Sequence, residues 1–174
     1  GAMVCQMARI AGCRVIGVAG GPEKCRWLEE EVGADIAIDY RSTDFSAALK
    51  DATPAGVNIF FDNVGGDVMH AAIDRMAPHG RVVLCGQLSA YDSNSPAAGP
   101  RDMMKLVYGR IRMQGFVVGD YADEYASAIA AIRQWEAEGR LRNRYDMRDG
   151  FRRIPDAFVD IFQGRNAGTL IVRI

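Results

Sequence analysis

A chain of 174 residues with 49% hydrophobic residues is long and apolar enough to bury one ordinary globular core. Its 21 Lys and Arg residues balance 22 Asp and Glu residues, so the charge pattern argues against nucleic-acid binding. The sequence has no apolar run near the roughly 20 residues of a membrane span and no signal-peptide pattern, which predicts a soluble, cytoplasmic protein.

Short β-branched runs alternate with amphipathic segments, as is typical of parallel strands linked by crossover helices. The first half predicts helices at 4–11, 22–31, 44–50 and 68–76 and strands at 14–19, 36–38, 57–61 and 81–85. The second half predicts helices at 101–110, 121–138 and 155–162, strands at 113–118 and 169–174, and a long loop at 89–100. The predicted fold class is α/β.

Two of the predicted helices carry apolar stripes, and the stripe of the helix at 101–110 is interpreted as core. In the helix at 101–110 these residues are Met103, Met104, Leu106 and Val107, which are read as core rather than as part of a cofactor site. In the helix at 121–138 they are Tyr125, Ala128, Ile129, Ile132 and Trp135.

The cysteines and histidines do not form a metal-binding pattern, so no metal site is predicted. They are Cys5, Cys13, Cys25, Cys85, His70 and His79, and no two cysteines form a C-x-x-C pair. Buried free thiols in a reducing compartment are the preferred interpretation. His79 is expected in a turn and His70 on a helix face, and neither is assigned a catalytic role.

The segment Asp62-Asn63-Val64-Gly65-Gly66 follows the apolar run at 57–61 and places polar groups at a strand's carboxyl end. Ligands bind at this edge of an open parallel sheet, and the glycines allow close approach of a flat ligand. An ordinary strand-to-helix turn is the alternative, because Asn and Gly favour turns.

A dinucleotide-binding fold normally opens with a strand and a Gly-rich phosphate loop, and this sequence shows neither. The residues Gly1-Ala2-Met3 are either an expression scar or the end of that missing loop. In the usual 3-2-1-4-5-6 order the missing strand would lie between the strands at 14–19 and 57–61. Their unpaired backbone groups must therefore pair with each other, rearrange or borrow a strand from a second chain. A homo-oligomer is predicted, with a dimer and strand exchange as one form.

Several motifs together resemble the cofactor-binding half of the zinc-independent medium-chain dehydrogenases/reductases, in the prostaglandin and leukotriene reductase branch that includes alkenal double-bond reductases. They are Val18-Ala19-Gly20-Gly21 with Glu23-Lys24, Ile38-Asp39-Tyr40, Phe60 to Gly66, Arg81 to Gly86, Gly99-Pro100-Arg101, Arg112 to Val118, Gly164 to Gly168 and Leu170-Ile171-Val172. The resemblance implies a Rossmann-like doubly wound parallel sheet that here lacks its first strand and Gly-rich loop. It also implies NADPH-dependent reduction of a carbon-carbon double bond conjugated to a carbonyl, in enones or alkenals.

The end of the second strand of the expected fold is consistent with NADP(H). An enzyme that uses NAD usually places a carboxylate there, whereas this strand ends in Ala19-Gly20-Gly21 and leaves room for a phosphate. Lys24, in the first turn of the next helix, could neutralise that phosphate, although an ordinary solvated lysine is its alternative reading. The resemblance adds the hydroxyl of Tyr40 to the same phosphate site.

The resemblance places further residues near the cofactor. Asn63, Cys85 and Gly86 are expected near the nicotinamide half, with a small core residue as the alternative for Cys85. Tyr91 is the candidate catalytic residue, because it matches a tyrosine near the nicotinamide ribose and a phenol can donate to an oxygen that gains charge. Phe116 and Val118 are expected to meet the nicotinamide amide through their backbone, and Asn166 to lie near the cofactor.

The resemblance also implies that a substrate-covering N-terminal domain is absent, so the isolated chain is expected to be inactive or weak. The segment 140–162 is expected to pack on that domain, leaving Phe151, Ile154 and Phe158 partly unpartnered and prone to association. Two alternatives remain open. One is a non-catalytic, oligomerising module, and the other is an adenosyl-cofactor methyltransferase-like domain, which the missing ribose carboxylate argues against.

Overall fold

The computed structural model describes residues 1–42, 44–90 and 102–174, which form two compact units. Unit 1 consists of Gly1–Asp39 and Ala128–Ile174, and unit 2 consists of Tyr40–Ser127. No helix among the described residues combines the length and apolar character needed to cross a membrane.

Unit 1 contains two pairs of parallel strands. Its elements in chain order are α1 (Ala2–Ile10), β1 (Ile16–Ala19), α2 (Pro22–Glu30), β2 (Ile36–Asp39), most of α6 (Tyr125–Ala137), β6 (Tyr145–Asp149), α7 (Ile154–Phe162) and β7 (Thr169–Arg173). β1 pairs with β2, and β6 pairs with β7. The first pair is covered by α1 and α2 through a core centred on Val15, Leu28, Val32 and Ala34.

Unit 2 contains one three-stranded parallel sheet in the order β3-β4-β5. Its elements are α3 (Phe45–Ala52), β3 (Val57–Asp62), α4 (Gly66–Asp74), β4 (Met76–Leu84), α5 (Met103–Gly109) and β5 (Arg112–Gly115). Met69, Ile73, Met76 and Val82 form its buried core, against which Leu106 of α5 also packs.

The α/β prediction is confirmed, because all four strand pairs in the described residues are parallel and each is joined by a helix. The parallel pairing places the carboxyl ends of neighbouring strands at one edge, where a ligand site is expected.

Within unit 1 the polar side chain of Gln6, on α1, exchanges two hydrogen bonds with the backbone of Arg142, at 2.9 and 2.8 Å.

The strands that were expected to flank the missing one do not pair with each other in the described chain. β1 pairs with β2 alone, and β3 pairs with β4 alone. The described strand pairs therefore do not include closure of β1 on β3, the first of the three expected outcomes. Within each unit the strand order, β1-β2 and β3-β4-β5, agrees with the usual order of the fold.

The stretch before α7 holds a strand that sequence patterns did not predict. β6 spans Tyr145–Asp149 in a segment that was interpreted only as polar. Its apolar side chains point outward, with Tyr145 55% and Met147 47% exposed. Asp146 and Arg148 alternate with them along the strand, are less exposed and pair with each other at 3.2 Å, so the usual burial pattern of a strand is reversed.

Two strand boundaries were also wrong. β4 begins at Met76 rather than Arg81, and His79, expected in a turn, has a φ of 62° beside a register irregularity opposite β3. The predicted strand at 113–118 ends at Gly115, and a 3-10 helix over Val118–Glu124 precedes α6.

The apolar face of α5 is largely exposed rather than core. Met103, Met104 and Val107 are 58%, 47% and 61% exposed, so only Leu106 of the predicted α5 stripe reaches the core. Tyr125 and Ile129 of α6 are exposed as well. The spacing of apolar residues predicted that each helix exists, but it did not predict which of its faces packs against the rest of the protein.

Candidate functional site

Asp62 fixes the turn at the carboxyl end of β3. Its side chain is 2% exposed, and Oδ1 accepts hydrogen bonds from the backbone N–H of Val64 at 2.8 Å and of Gly65 at 2.9 Å. A carboxylate that binds the backbone two and three residues ahead holds a tight turn in one conformation. The other oxygen, Oδ2, is buried and has no hydrogen-bond partner among the described residues.

The turn after β3 is joined to the end of β4. The carbonyl oxygen of Asp62 accepts from the N–H groups of Cys85 at 2.8 Å and Gly86 at 3.2 Å, and that of Asn63 accepts from Leu88 at 3.1 Å. A Cβ at Gly86 would lie 3.3 Å from the Asn63 carbonyl oxygen, which explains the glycine. The structure thus brings Asn63, Cys85 and Gly86 together, and Cys85 is exposed rather than in the core.

Phe116 and Val118 follow the end of β5, the neighbour of β4. The Phe116 ring centroid lies 6.2 Å from those of Phe61 and Tyr121, so its side chain packs among aromatic rings at this end of the sheet. Val118 is 64% exposed, and its carbonyl oxygen accepts from the Tyr125 hydroxyl at 3.0 Å. Tyr91, the candidate catalytic residue, lies outside the described residues.

The turn after β1 lies in unit 1, and the carboxylate of Asp39 contacts it. The backbone N–H of Gly21, which follows Gly20, donates to Oδ1 of Asp39 at 2.9 Å. Asp39 ends β2, so it reaches this turn through the pairing of β1 and β2. The residues that end β1 do not reveal this contact, so the sequence did not predict it. A Cβ at Gly21 would meet no heavy atom within 4 Å, so the turn still borders open space.

Lys24 is not an ordinary solvated lysine. It is half-buried in the first turn of α2, and its Nζ donates to the carbonyl oxygen of Gly164. Asn166 lies two residues further on, and its Nδ2 donates to the carbonyl oxygen of Gly168 at 2.8 Å. Unit 1 therefore brings the predicted residues Lys24 and Asn166 to one turn, 164–168.

Tyr40, the first residue of unit 2, is 43% exposed and carries a stacked cation. The guanidinium carbon of Arg41 lies 5.8 Å from the centre of its ring. Arg41 was not among the predicted site residues. A signal was available, because an arginine next to a tyrosine at a strand end can offer a planar donor group to a phosphate.

Cys5 and Cys25 are poorly suited to nucleophilic chemistry. Burial raises the pKa of the Cys5 thiol, and burial together with the charges of Asp39 and Glu29 raises the pKa of Cys25. A raised pKa keeps these thiols protonated near neutral pH, whereas the thiolate is the reactive form. The expectation of buried cysteines is wrong for Cys13, which is exposed like Cys85.

Comparison with known proteins identifies relatives over the whole chain. Residues 1–134 match a family model described as "Zinc-binding dehydrogenase". The chain is 38% identical to a putative NADP-dependent oxidoreductase, YfmJ, of Bacillus subtilis, and 35% identical to the NADPH-dependent curcumin reductase of Escherichia coli, with 100% of the chain and 52% of each relative covered. It is 35% identical to prostaglandin reductase 1 of Bos taurus, with 99% of the chain and 53% of the relative covered.

A solved structure is also very similar. It is CurA of Vibrio vulnificus in complex with NADPH, with a TM-score of 0.94 and 38% identity, and the match covers 99% of the chain and 53% of CurA. The chain thus spans about half the length of the relatives it matches.

The family description mentions zinc, and the described residues do not fit a zinc site. Within residues 1–42, 44–90 and 102–174, no group of three or more His, Cys, Asp or Glu side chains could hold a metal ion. Structural and catalytic zinc sites require at least three protein ligands of these types.

Proposed function

The chain belongs to the zinc-binding dehydrogenase family, and from that premise we propose that it is the cofactor-binding part of an NADPH-dependent reductase. The proposed reaction is reduction of the carbon-carbon double bond of α,β-unsaturated ketones or aldehydes. Relatives described as curcumin reductase and prostaglandin reductase, and the NADPH complex of CurA, support this choice of reaction and cofactor.

The observation that carries the proposal is the joined turn at the carboxyl ends of β3 and β4. Parallel α/β sheets bind ligands outside these strand ends. The buried Asp62 carboxylate fixes the backbone that presents Asn63, and Gly86 lies against that backbone without a side chain. We propose that Asn63, Cys85, Gly86 and the backbone of Phe116 and Val118 contact the nicotinamide half of NADPH.

Lys24 is proposed to bind the 2′-phosphate, with the hydroxyl of Tyr40 as a second contact and Gly20 leaving room for the group. The positive end of α2 favours an anion there as well. Asn166 is proposed as a further cofactor contact through the turn it shares with Gly164.

Bound NADPH would supply the hydride, and the chain's own residues would bind it, orient it and stabilise charge. Charge would develop on the carbonyl oxygen of the substrate. Tyr91 is proposed as the donor to that oxygen, because a phenol at neutral pH keeps its proton and can donate a hydrogen bond.

The larger context is also a proposal. The segment 140–162 would pack on a substrate-covering domain, which is supported by the exposure of Phe151, Ile154 and Phe158, at 70%, 41% and 60%, and by the half-length match to the relatives. We further propose a cytoplasmic protein that forms a homodimer. The methyltransferase-like alternative has no observation in its favour.

Calorimetric titration of the purified protein with NADPH and, separately, with NADH tests the cofactor assignment. We expect tighter binding of NADPH, and we expect Lys24→Ala to weaken NADPH far more than NADH because a charge-assisted hydrogen bond to the phosphate is lost. Equal loss for both nucleotides would refute the phosphate assignment. A tight oligomer that binds neither nucleotide would instead support the non-catalytic module.

A further inference from the structure

Lys24 is bound to a turn that lies far away in the sequence. Its Nζ donates to the carbonyl oxygen of Gly164, 140 residues along the chain, within unit 1. An ammonium group carries three N–H donors, and this hydrogen bond uses one. The remaining donors can serve an anion while the bond to Gly164 stays in place.

The turn 164–168 has other anchors, and they come from different elements. The side chain of Arg165 donates to Asp160 of α7 at 2.7 Å, and the N–H of Ala167 donates to Asp146 of β6 at 3.1 Å. The contact with Lys24 ties the beginning of the same turn to α2. It therefore links the helix that would bind the phosphate to the turn that carries Asn166.

Building on the proposed function, we infer that Lys24 has two roles in cofactor binding. It binds the 2′-phosphate, and it is a positioning residue for the turn 164–168 and hence for Asn166. The first role acts on NADPH alone, because NADH has no 2′-phosphate. The second role acts on both nucleotides, because Asn166 would contact a part of the cofactor that they share.

The test is a double-mutant cycle of Lys24→Met and Asn166→Ala, read by titration with NADPH and NADH. Methionine keeps the length and apolar stem of Lys24 but removes all its donors. We expect Lys24→Met to weaken NADPH about 10- to 100-fold, as for a charge-assisted hydrogen bond, and NADH about two- to fivefold, as for one neutral hydrogen bond. In the Asn166→Ala background the NADH loss should vanish, whereas most of the NADPH loss should remain.

Two results would overturn the inference while leaving the proposed function intact. One is selective NADPH binding by the wild type with no effect of Lys24→Met on NADH. The other is a loss for NADH that is additive with that of Asn166→Ala, because independent contacts give additive free energies. The proposed function fails separately if the wild type does not prefer NADPH.

Hydrogen exchange in the nucleotide-free protein gives a second readout that does not depend on cofactor binding. Lys24→Met should speed exchange of the Arg165 and Ala167 amides, whose hydrogen bonds are 2.9 and 3.1 Å. The matched control is Lys50→Met, on the exposed surface of α3 in unit 2, which should leave those amides unchanged. Unchanged exchange in Lys24→Met as well would refute the positioning role.

Discussion

Gly168 shows how one residue without a side chain sets the shape of the turn that carries Asn166. Its φ is 106°, and a Cβ at this position would lie 2.3 Å from the carbonyl oxygen of Arg144. The backbone of Arg144 cannot move aside easily, because its carbonyl also accepts from Thr169 at 2.8 Å. Both the backbone conformation and the close approach therefore require glycine.

We predict that Gly168→Ala lowers the free energy of unfolding by about 3 kcal/mol or more, since it combines backbone strain with a steric clash. Urea denaturation measures the change. Gly12→Ala is the control, because Gly12 has a φ of 81° but no heavy atom within 4 Å of where a Cβ would lie, so only strain of about 1 kcal/mol is expected. Equal losses for both variants would show that the clash with Arg144 relaxes at no cost.

Sequence patterns predicted residues that act through their own neighbours in the chain. Asp62 ends β3 and Asn63 follows it, and the turn they form involves the next two or three residues. Asp39 was not among the predicted site residues. The contact of Asp39 with Gly21 depends on the pairing of β1 with β2, which a reading of each strand end in isolation does not include.

The start of α3 was predicted to within one residue, at a position where a side chain caps the helix. Asp44 precedes α3, and its Oδ1 accepts from the N–H of Ala47 at 3.0 Å. The bond satisfies a donor that has no partner within the helix. A comparable cap at the start of α5 is provided by Asp102, which accepts from Met104 at 2.9 Å.

Asp44→Ala should cost about 1 kcal/mol of unfolding free energy, as is typical for loss of an N-cap. The matched control is Asp51→Ala in the last turn of the same helix, where an acidic residue opposes the helix dipole and its removal should be neutral or slightly stabilising. Denaturant titration of both variants gives the comparison. A cost for Asp51→Ala equal to that for Asp44→Ala would contradict the capping argument.

β6 marks the limit of prediction at the level of elements. A half-buried strand is found from apolar side chains that face inward at every second residue. In β6 the inward positions hold Asp146 and Arg148, which pair with each other and, through Arg148, with Asp160 at 3.9 Å. A strand stabilised by ion pairs and by its parallel neighbour β7 has no such apolar signal.

On the scale of the whole molecule, α7 and the 3-10 helix over Phe151–Arg153 before it carry exposed aromatic side chains. Phe151 is 70% and Phe158 is 60% exposed, and the ring of Phe158 packs edge-on against Phe162 at 5.0 Å. Exposed apolar surface of this kind favours association. The exposed fractions of Phe151, Ile154 and Phe158 agree with the expectation that they are partly unpartnered, and the packing of 140–162 on a further domain stays a prediction.

We predict that Phe151→Ser combined with Phe158→Ser reduces self-association without loss of secondary structure. Analytical ultracentrifugation across a concentration series measures the association, and circular dichroism checks the fold. Val107→Ser combined with Tyr108→Ser, on the exposed face of α5, is the control for any loss of apolar surface. If only the α5 variant dissociates, then association occurs through unit 2 and the role of the α7 surface is wrong.

Strand order was predictable because connections in α/β folds follow strong rules, and the order observed within each unit agrees with them. β1 and β3 each have a second edge, opposite the one that pairs with β2 or β4. Pairing at that second edge was not predictable, because it depends on which other strand is available and not on the residues of β1 and β3. Within the described chain, neither strand pairs across that edge.

The arrangement of the units along the chain has a consequence for protein synthesis. Unit 2 is one continuous stretch, 40–127, whereas unit 1 joins residues 1–39 to residues 128–174. A ribosome therefore synthesises all of unit 2 before it reaches Arg142, the hydrogen-bond partner of Gln6 that lies 136 residues further along the chain. Because the entropic cost of closing a loop rises only slowly with its length, the long separation of Gln6 and Arg142 delays their contact but adds little to the free energy of forming it. Unit 2 can fold as the chain emerges, but unit 1 can be completed only after residues 128–174 have been synthesised.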